Sequence, residues 1–174
     1  MVRNYYSGAL GELQREFVSK IFIGRPTYFW PYASLFLSVG VIFYQNEDGD
    51  VLDIQADIIG PVQTAYEGGI FRCKLVIESG FPQSAPKGFF LTKIFHPNVA
   101  QNTGEICVNT LKRDWNPAKW SLKHIFEVIK CLLIVPFPES SLNEAAGREF
   151  MDDYDSFCEH ARVYTQIHAK MNAA

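Results

Sequence analysis

Positive charge is in short supply in this 174-residue sequence: 16 Lys and Arg stand against 19 Asp and Glu, a net charge of −3, and the basic residues are scattered. A surface without a basic stripe suits a polyanion poorly, so no nucleic acid is expected as a main partner. Metal-binding patterns are missing too. The four cysteines, Cys73, Cys107, Cys131 and Cys158, include no C-x-x-C pair. His124, His160 and His168 fall at no ligand spacing from them, so neither zinc nor another cofactor is expected. With no secretory leader to suggest an oxidising compartment, reduced thiols and a cytoplasmic or nuclear location are the expectation. Internal repeats and low-complexity tracts are also lacking, and the length matches one domain over residues 1–174.

Charge of either sign is scarce in one stretch. Between Ile21 and Tyr44 only Arg25 is charged, and from Thr27 no charge appears before Glu47. About 20 apolar residues suffice to cross a bilayer. Pro26, Pro31 and the interspersed Tyr and Ser residues make a poor membrane helix, while β-branched and aromatic content suits buried strands. The run is therefore read as core or as an insertion over 21–44, and no membrane is expected as partner.

What is present has period. Leu10, Leu13, Phe17 and Ile21, with charged residues between them, predict an amphipathic amino-terminal helix. Val39 to Phe43, the polar turn Asn46 to Asp50, and Val51 to Ile58 predict a hairpin. Ile70 to Ile77 alternates charged with apolar residues, and Phe89 to Leu91 is a short strand behind Pro82 and Pro86. From Phe95 to Pro117 neither period is sustained, and a loop of that length inside a domain is usually functional. Leu122, Ile125, Phe126, Ile129, Leu132 and Leu133 then line one helix face, with Pro136 and Pro138 expected to terminate it. Phe150, Tyr154, Phe157, Ala161, Tyr164 and Ile167 predict one or two more helices. Strands first and helices later give an α+β fold, a four-stranded antiparallel meander flanked by helices.

The irregular stretch carries the chemistry. Cys107 lies between a turn-forming Gly104 and the strand-like Ile106 and Val108, with Asn98 nine positions upstream. A thiol so placed is a candidate for covalent acyl transfer. Asn98 can donate to the oxyanion, a function worth roughly 3–4 kcal/mol where one such donor has been removed; it can equally hydrogen-bond its own loop backbone. His96 invites a Cys–His hydrolase reading. The following Pro97 stiffens the loop and favours a structural histidine bonded to backbone. An amine acceptor poses a separate difficulty: a lysine of pKa about 10.4 is neutral only about once in 10³ at pH 7, a penalty of roughly 4–5 kcal/mol. Asp114 and Glu139 are the candidate carboxylates, unless they are plain solvated loop acids. Cys73, Cys131 and Cys158 read as packing or surface thiols.

Phe81-Pro82, Pro86-Lys87, the run Thr92 to Asn98, Gly104 to Cys107, Asp114-Trp115 and Pro136-x-Pro138 together resemble the ubiquitin-conjugating enzyme family. Lys87 to Asn98, Val108-Asn109 with Leu111 to Trp115, and Pro138 to Arg148 resemble its S-type, chain-elongating members. The resemblance runs from about Val51 to His168 and leaves residues 1–50 divergent. It implies a ubiquitin-conjugating fold in which Cys107 takes ubiquitin from an activating enzyme as a thioester and passes it to lysine, with Asn98 at the oxyanion. It implies ubiquitin, the activating enzyme and a ubiquitin ligase of the anaphase-promoting-complex kind as partners. Many relatives carry an acid where this chain has Ser140, so the acid that orients the lysine would come from the acceptor ubiquitin. Departures include one extra residue between Asn98 and Cys107, another near Lys119-Trp120, and Gln83 where many relatives place an aromatic that grips RING-type ligases. The rival from another class is an inactive ubiquitin-binding adaptor of the same fold, a type that lacks the cysteine; a cysteine hydrolase is the other alternative.

Overall fold

A computed structural model describes residues 40–44, 53–107, 111, 115–118 and 122–170. The amino-terminal helix expected over Leu10 to Ile21, nearly all of the 21–44 run, the Asn46 to Asp50 turn and Asp114 lie outside the described residues. Strands β1 (Val41–Tyr44), β2 (Asp53–Ile59), β3 (Ile70–Val76) and β4 (Lys87–Phe90) form one sheet in the order β1-β2-β3-β4. Every neighbouring pair is antiparallel. The expected hairpin is present, with Val41 opposite Ile58 and Tyr44 opposite Gln55. In β3 the alternation read from sequence becomes geometry: Phe71, Cys73 and Leu75 are buried, and Arg72 turns away to pair with Asp57 at 2.9 Å.

β4 begins two residues earlier than expected. Its ladder to β3 runs through Lys74 opposite Phe89 and Val76 opposite Lys87, stopping right after Pro86, which has no N–H to contribute. Gly88 is closely packed. A Cβ there would lie 3.1 Å from Ile106 Cδ1 and 3.2 Å from Leu111 Cδ1, tight contacts in a packed core. The bare backbone lets Ile106 donate its N–H to the Gly88 carbonyl at 2.9 Å, which lays the cysteine-bearing segment along β4.

Helix α1 (Leu122–Leu132) buries Ile125, Phe126, Ile129 and Leu132, as its spacing predicts. They join Ile54, Ala56, Ile58, Phe71 and Leu75 in one core, where each large apolar side chain contributes about 1.5–3 kcal/mol. The helix ends four residues before Pro136, in a tightened turn where Leu133 bonds back to Lys130 and Val135 to Cys131. The proline therefore follows a terminus that the backbone has already made.

The carboxyl-terminal periodicity resolves into two helices, α2 (Glu144–Asp152) and α3 (Tyr154–His168), separated by Asp153 alone. Asp153 leaves helical geometry (φ −148°, ψ 78°) and serves both ends. Its N–H closes α2 on the Glu149 carbonyl at 2.8 Å, and its carboxylate accepts the Ser156 N–H that opens α3 at 3.1 Å. α3 packs Phe157, Ala161 and Thr165 inward, and the chain then returns to the sheet, where Ile70 N–H bonds the Ala169 carbonyl at 2.8 Å. Among the described residues no helix is long and apolar enough to cross a membrane.

Candidate active site

The site is built on the turn His96-Pro97-Asn98, whose side chains and carbonyls bond to several other segments. His96 is fully buried. Its Nδ1 accepts the Asn98 N–H at 3.0 Å, so the ring proton sits on Nε2 and is donated to the Leu132 carbonyl at 2.9 Å. That carbonyl is one of those that a helix end leaves without an internal partner. Burial pushes the imidazole pKa down from 6.5 to about 4, against a smaller opposing effect of the Leu132 bond. A neutral ring with both nitrogens bonded has no lone pair with which to serve Cys107 as a base. His96 is the structural histidine of the turn.

Asn98 is fully buried and spends its whole amide on another segment. Its Oδ1 accepts the Phe137 N–H at 2.8 Å, and its Nδ2 donates to the Phe137 carbonyl at 2.6 Å and the Ser140 carbonyl at 3.0 Å. The single-turn 3₁₀ helix Pro138–Ser140, which carries Glu139 and Ser140, is thereby held against the His96-Pro97-Asn98 turn. Of the two roles open to Asn98, this structure displays the loop-holding one. An oxyanion would receive an Nδ2 hydrogen only if one of those two carbonyls released it.

The neighbouring carbonyl extends the clamp. Pro97 O accepts the N–H groups of Leu142 (2.8 Å) and Asn143 (3.0 Å), and Ser141 Oγ lies 3.2 Å away. Asn143 caps α2 by accepting the Ala146 N–H at 3.2 Å. Its Nδ2 is buried with no hydrogen-bond partner.

Cys107 reaches the same place from the other side. Gly104 has φ +73°, and a Cβ on it would meet the Phe90 carbonyl at 2.0 Å, so only glycine makes this turn. The loop closes through Gly104 N–H to Ala100 O and Ala100 N–H to Glu105 O, after which Val99 bridges Ile106. Cys107 then donates its N–H to the Asn98 carbonyl at 2.9 Å. Gln101, Asn102 and Thr103, at the tip of this loop, are exposed. Cys107 is a free cysteine at 6% exposure. Cys73 is fully buried, and burial holds its thiol well above the usual range, which suits an inert packing role; Cys158 is buried and Cys131 exposed.

Of the residues predicted for the site, the structure links Cys107, Asn98 and Ser140 through consecutive hydrogen bonds and puts Glu139, exposed, on the same short turn. Asp114 lies outside the described residues. Sequence reasoning missed Phe137, Ser141 and the Pro97 carbonyl, because their contributions are backbone groups or one short hydroxyl. Asn143, three residues ahead of Ala146 at the start of a helical pattern, was readable as a cap. A cavity of about 190 Å³, lined by Val62, Tyr66, Ile134, Phe150, Tyr154 and Phe157 among others, contains none of the predicted site residues.

A four-stranded meander with a cysteine tied to a His-Pro-Asn turn defines a class, and the comparisons agree with it: the chain belongs to the ubiquitin-conjugating enzyme family, whose pattern matches residues 38–165. Within the family it is similar to proteins named E2 S and E2 22. It is 56% identical over 135 residues to ubiquitin-conjugating enzyme E2 S of Nematostella vectensis, covering 78% of this chain and 65% of that protein. It is 61% identical over 123 residues to ubiquitin-conjugating enzyme E2 22 of Arabidopsis thaliana, covering 71% and 48%. The chain thus spans about half to two thirds of the length of these curated relatives. The solved E2 domain of a Toxoplasma gondii ubiquitin conjugating enzyme superposes with a TM-score of 0.72 at 28% identity, over 91% of this chain and 99% of that one.

Proposed function

We propose that the chain accepts ubiquitin from an activating enzyme on Cys107 and transfers it to lysine, elongating ubiquitin chains with a ligase of the anaphase-promoting-complex kind. The observation that carries this reading is the double use of Asn98. Its carbonyl fixes the Cys107 peptide, and its amide fixes the turn bearing Glu139 and Ser140. In loading, Cys107 Sγ displaces the leaving group from the activated carboxyl terminus of ubiquitin and forms a thioester. In transfer, a neutral lysine amine attacks that carbonyl, the C–S bond breaks, the thiolate leaves, and the amine's extra proton passes to a base. Glu139 is the described carboxylate on the adjoining turn; Ser140 carries no charge, so an acid of the acceptor ubiquitin completes the approach of the lysine.

The hydrolase alternative requires His96 as base, and the bonding of both its nitrogens speaks against it. The adaptor alternative is opposed by the presence of Cys107. The test is to incubate the full chain with activating enzyme, ATP and ubiquitin. A reductant-sensitive adduct is expected, absent from Cys107→Ala and replaced in Cys107→Ser by a reductant-resistant ester. No adduct on the parental chain would sink the transferase reading.

A further inference from the structure

Gly147 occupies the first turn of α2, a place where alanine would be the better helix former. The reason for glycine lies across the helix. A Cβ at 147 would sit 2.5 Å from Ser141 Oγ, closer than non-bonded atoms approach, and 3.0 Å from Ser141 Cβ, a tight contact. Ser141 is therefore drawn down onto the α2 backbone. In that position its hydroxyl lies 2.8 Å from the Asn143 carbonyl and 3.2 Å from the Pro97 carbonyl. Ser141 follows Ser140 directly, and the Ser140 carbonyl is one of the two that Asn98 holds.

We propose that Gly147 and Ser141 form a positioning pair that sets how closely the Glu139-Ser140 turn approaches the His96-Pro97-Asn98 turn, and hence where the attacking amine meets the thioester. The proposal rests on the transferase reading above. A methyl group at 147 displaces the Ser141 hydroxyl from its place between the Asn143 and Pro97 carbonyls. Rotation moves Oγ off the Pro97 carbonyl, and Ser141 Cβ remains in tight contact. On this proposal the remaining Cβ contact is relieved by an outward shift of the turn, which loosens the Asn98 bonds to Phe137 and Ser140. Neither residue touches the reacting atoms; both act through the turn.

The two steps of the reaction should separate this role from a general loss of stability. Thioester formation uses the Cys107 thiol and the activated ubiquitin, whereas attack by lysine depends on the turn. In single-turnover assays on the full chain, Gly147→Ala is expected to load ubiquitin at the parental rate and to discharge it to free lysine on the order of tenfold more slowly, the kind of loss that a small displacement of a positioned group produces. Discharge to hydroxylamine, a small nucleophile reactive without positioning, is expected to stay at the parental rate. Ser141→Gly added to Gly147→Ala removes the atoms in conflict and is expected to return lysine discharge to the rate of Ser141→Gly alone. Backbone amide NMR shifts of residues 138–142, measured without ubiquitin, are expected to move in Gly147→Ala and to return toward the Ser141→Gly spectrum in the double variant. The pair is refuted if those shifts do not move, if lysine discharge is unchanged, if hydroxylamine discharge falls in parallel, or if Ser141→Gly brings no recovery. Failure of the parental chain to load would refute the transferase reading instead, and the shifts would still decide whether the contact positions the turn.

Discussion

His96 enters the core as a neutral ring, whereas the unfolded chain leaves it free to titrate at its ordinary value. Its pKa is lowered from 6.5 to about 4, so between those values the unfolded state binds more protons than the folded one, and stability rises with pH. The contribution is fully present above pH 6.5 and is lost as the pH falls toward 4. From pH 7 to pH 5 the loss should be about 2 kcal/mol. Urea unfolding of His96→Gln, which keeps a donor and an acceptor but no titrating ring, should show a pH dependence shallower by that amount. An identical dependence would mean that other groups dominate. Both histidine readings are open to the residues alone, and Pro97 beside the ring favours the structural one. The partner that decides the matter, the Leu132 carbonyl, lies 36 residues away, where no local pattern points.

Between α2 and α3 a single residue does the work of a loop. Asp153→Ala removes the carboxylate that opens α3 and should cost about 1 kcal/mol, whereas Asp153→Asn, still able to accept from Ser156, should cost much less. Chemical denaturation of the two variants decides this, and equal losses would argue against capping. The break is hard to see in the sequence because the apolar spacing of Phe150, Tyr154 and Phe157 runs straight through it. Periodicity reports which face is buried and is silent on where the backbone leaves the helix. The strands are more legible: alternation in β3 places Phe71, Cys73 and Leu75 inside without reference to any partner. β4 shows the limit, since its start at Lys87 is set by pairing with Val76 across the sheet, while the sequence shows only prolines nearby.

At the scale of the molecule, the last helix is fastened to the sheet by few but well-placed bonds. Ala169 O receives the Ile70 N–H, Lys170 bridges Gly69, and Thr165 Oγ1 lies 3.3 Å from the Ala65 carbonyl. Ending the chain at His168 should lower the unfolding free energy by roughly 1–2 kcal/mol and speed hydrogen exchange at the Ile70 amide more than at the Cys73 amide in mid-strand. Unchanged exchange at Ile70 would show that the bond adds nothing. The meander and the order of its elements can be read from sequence because each element carries its own pattern. The candidate site can be located, through Cys107 and Asn98, but its wiring cannot, because the partners of the His96 and Asn98 side chains are backbone groups brought from separate segments. That wiring has a mechanical consequence. The carbonyl and the amide of Asn98 are parts of one residue, so the thiol-bearing segment and the turn that would receive the amine are fastened to the same post. Only the length of one asparagine therefore separates the bond that holds the Cys107 peptide from the bonds that hold the Glu139-Ser140 turn, so a shift of that residue is felt on both sides at once.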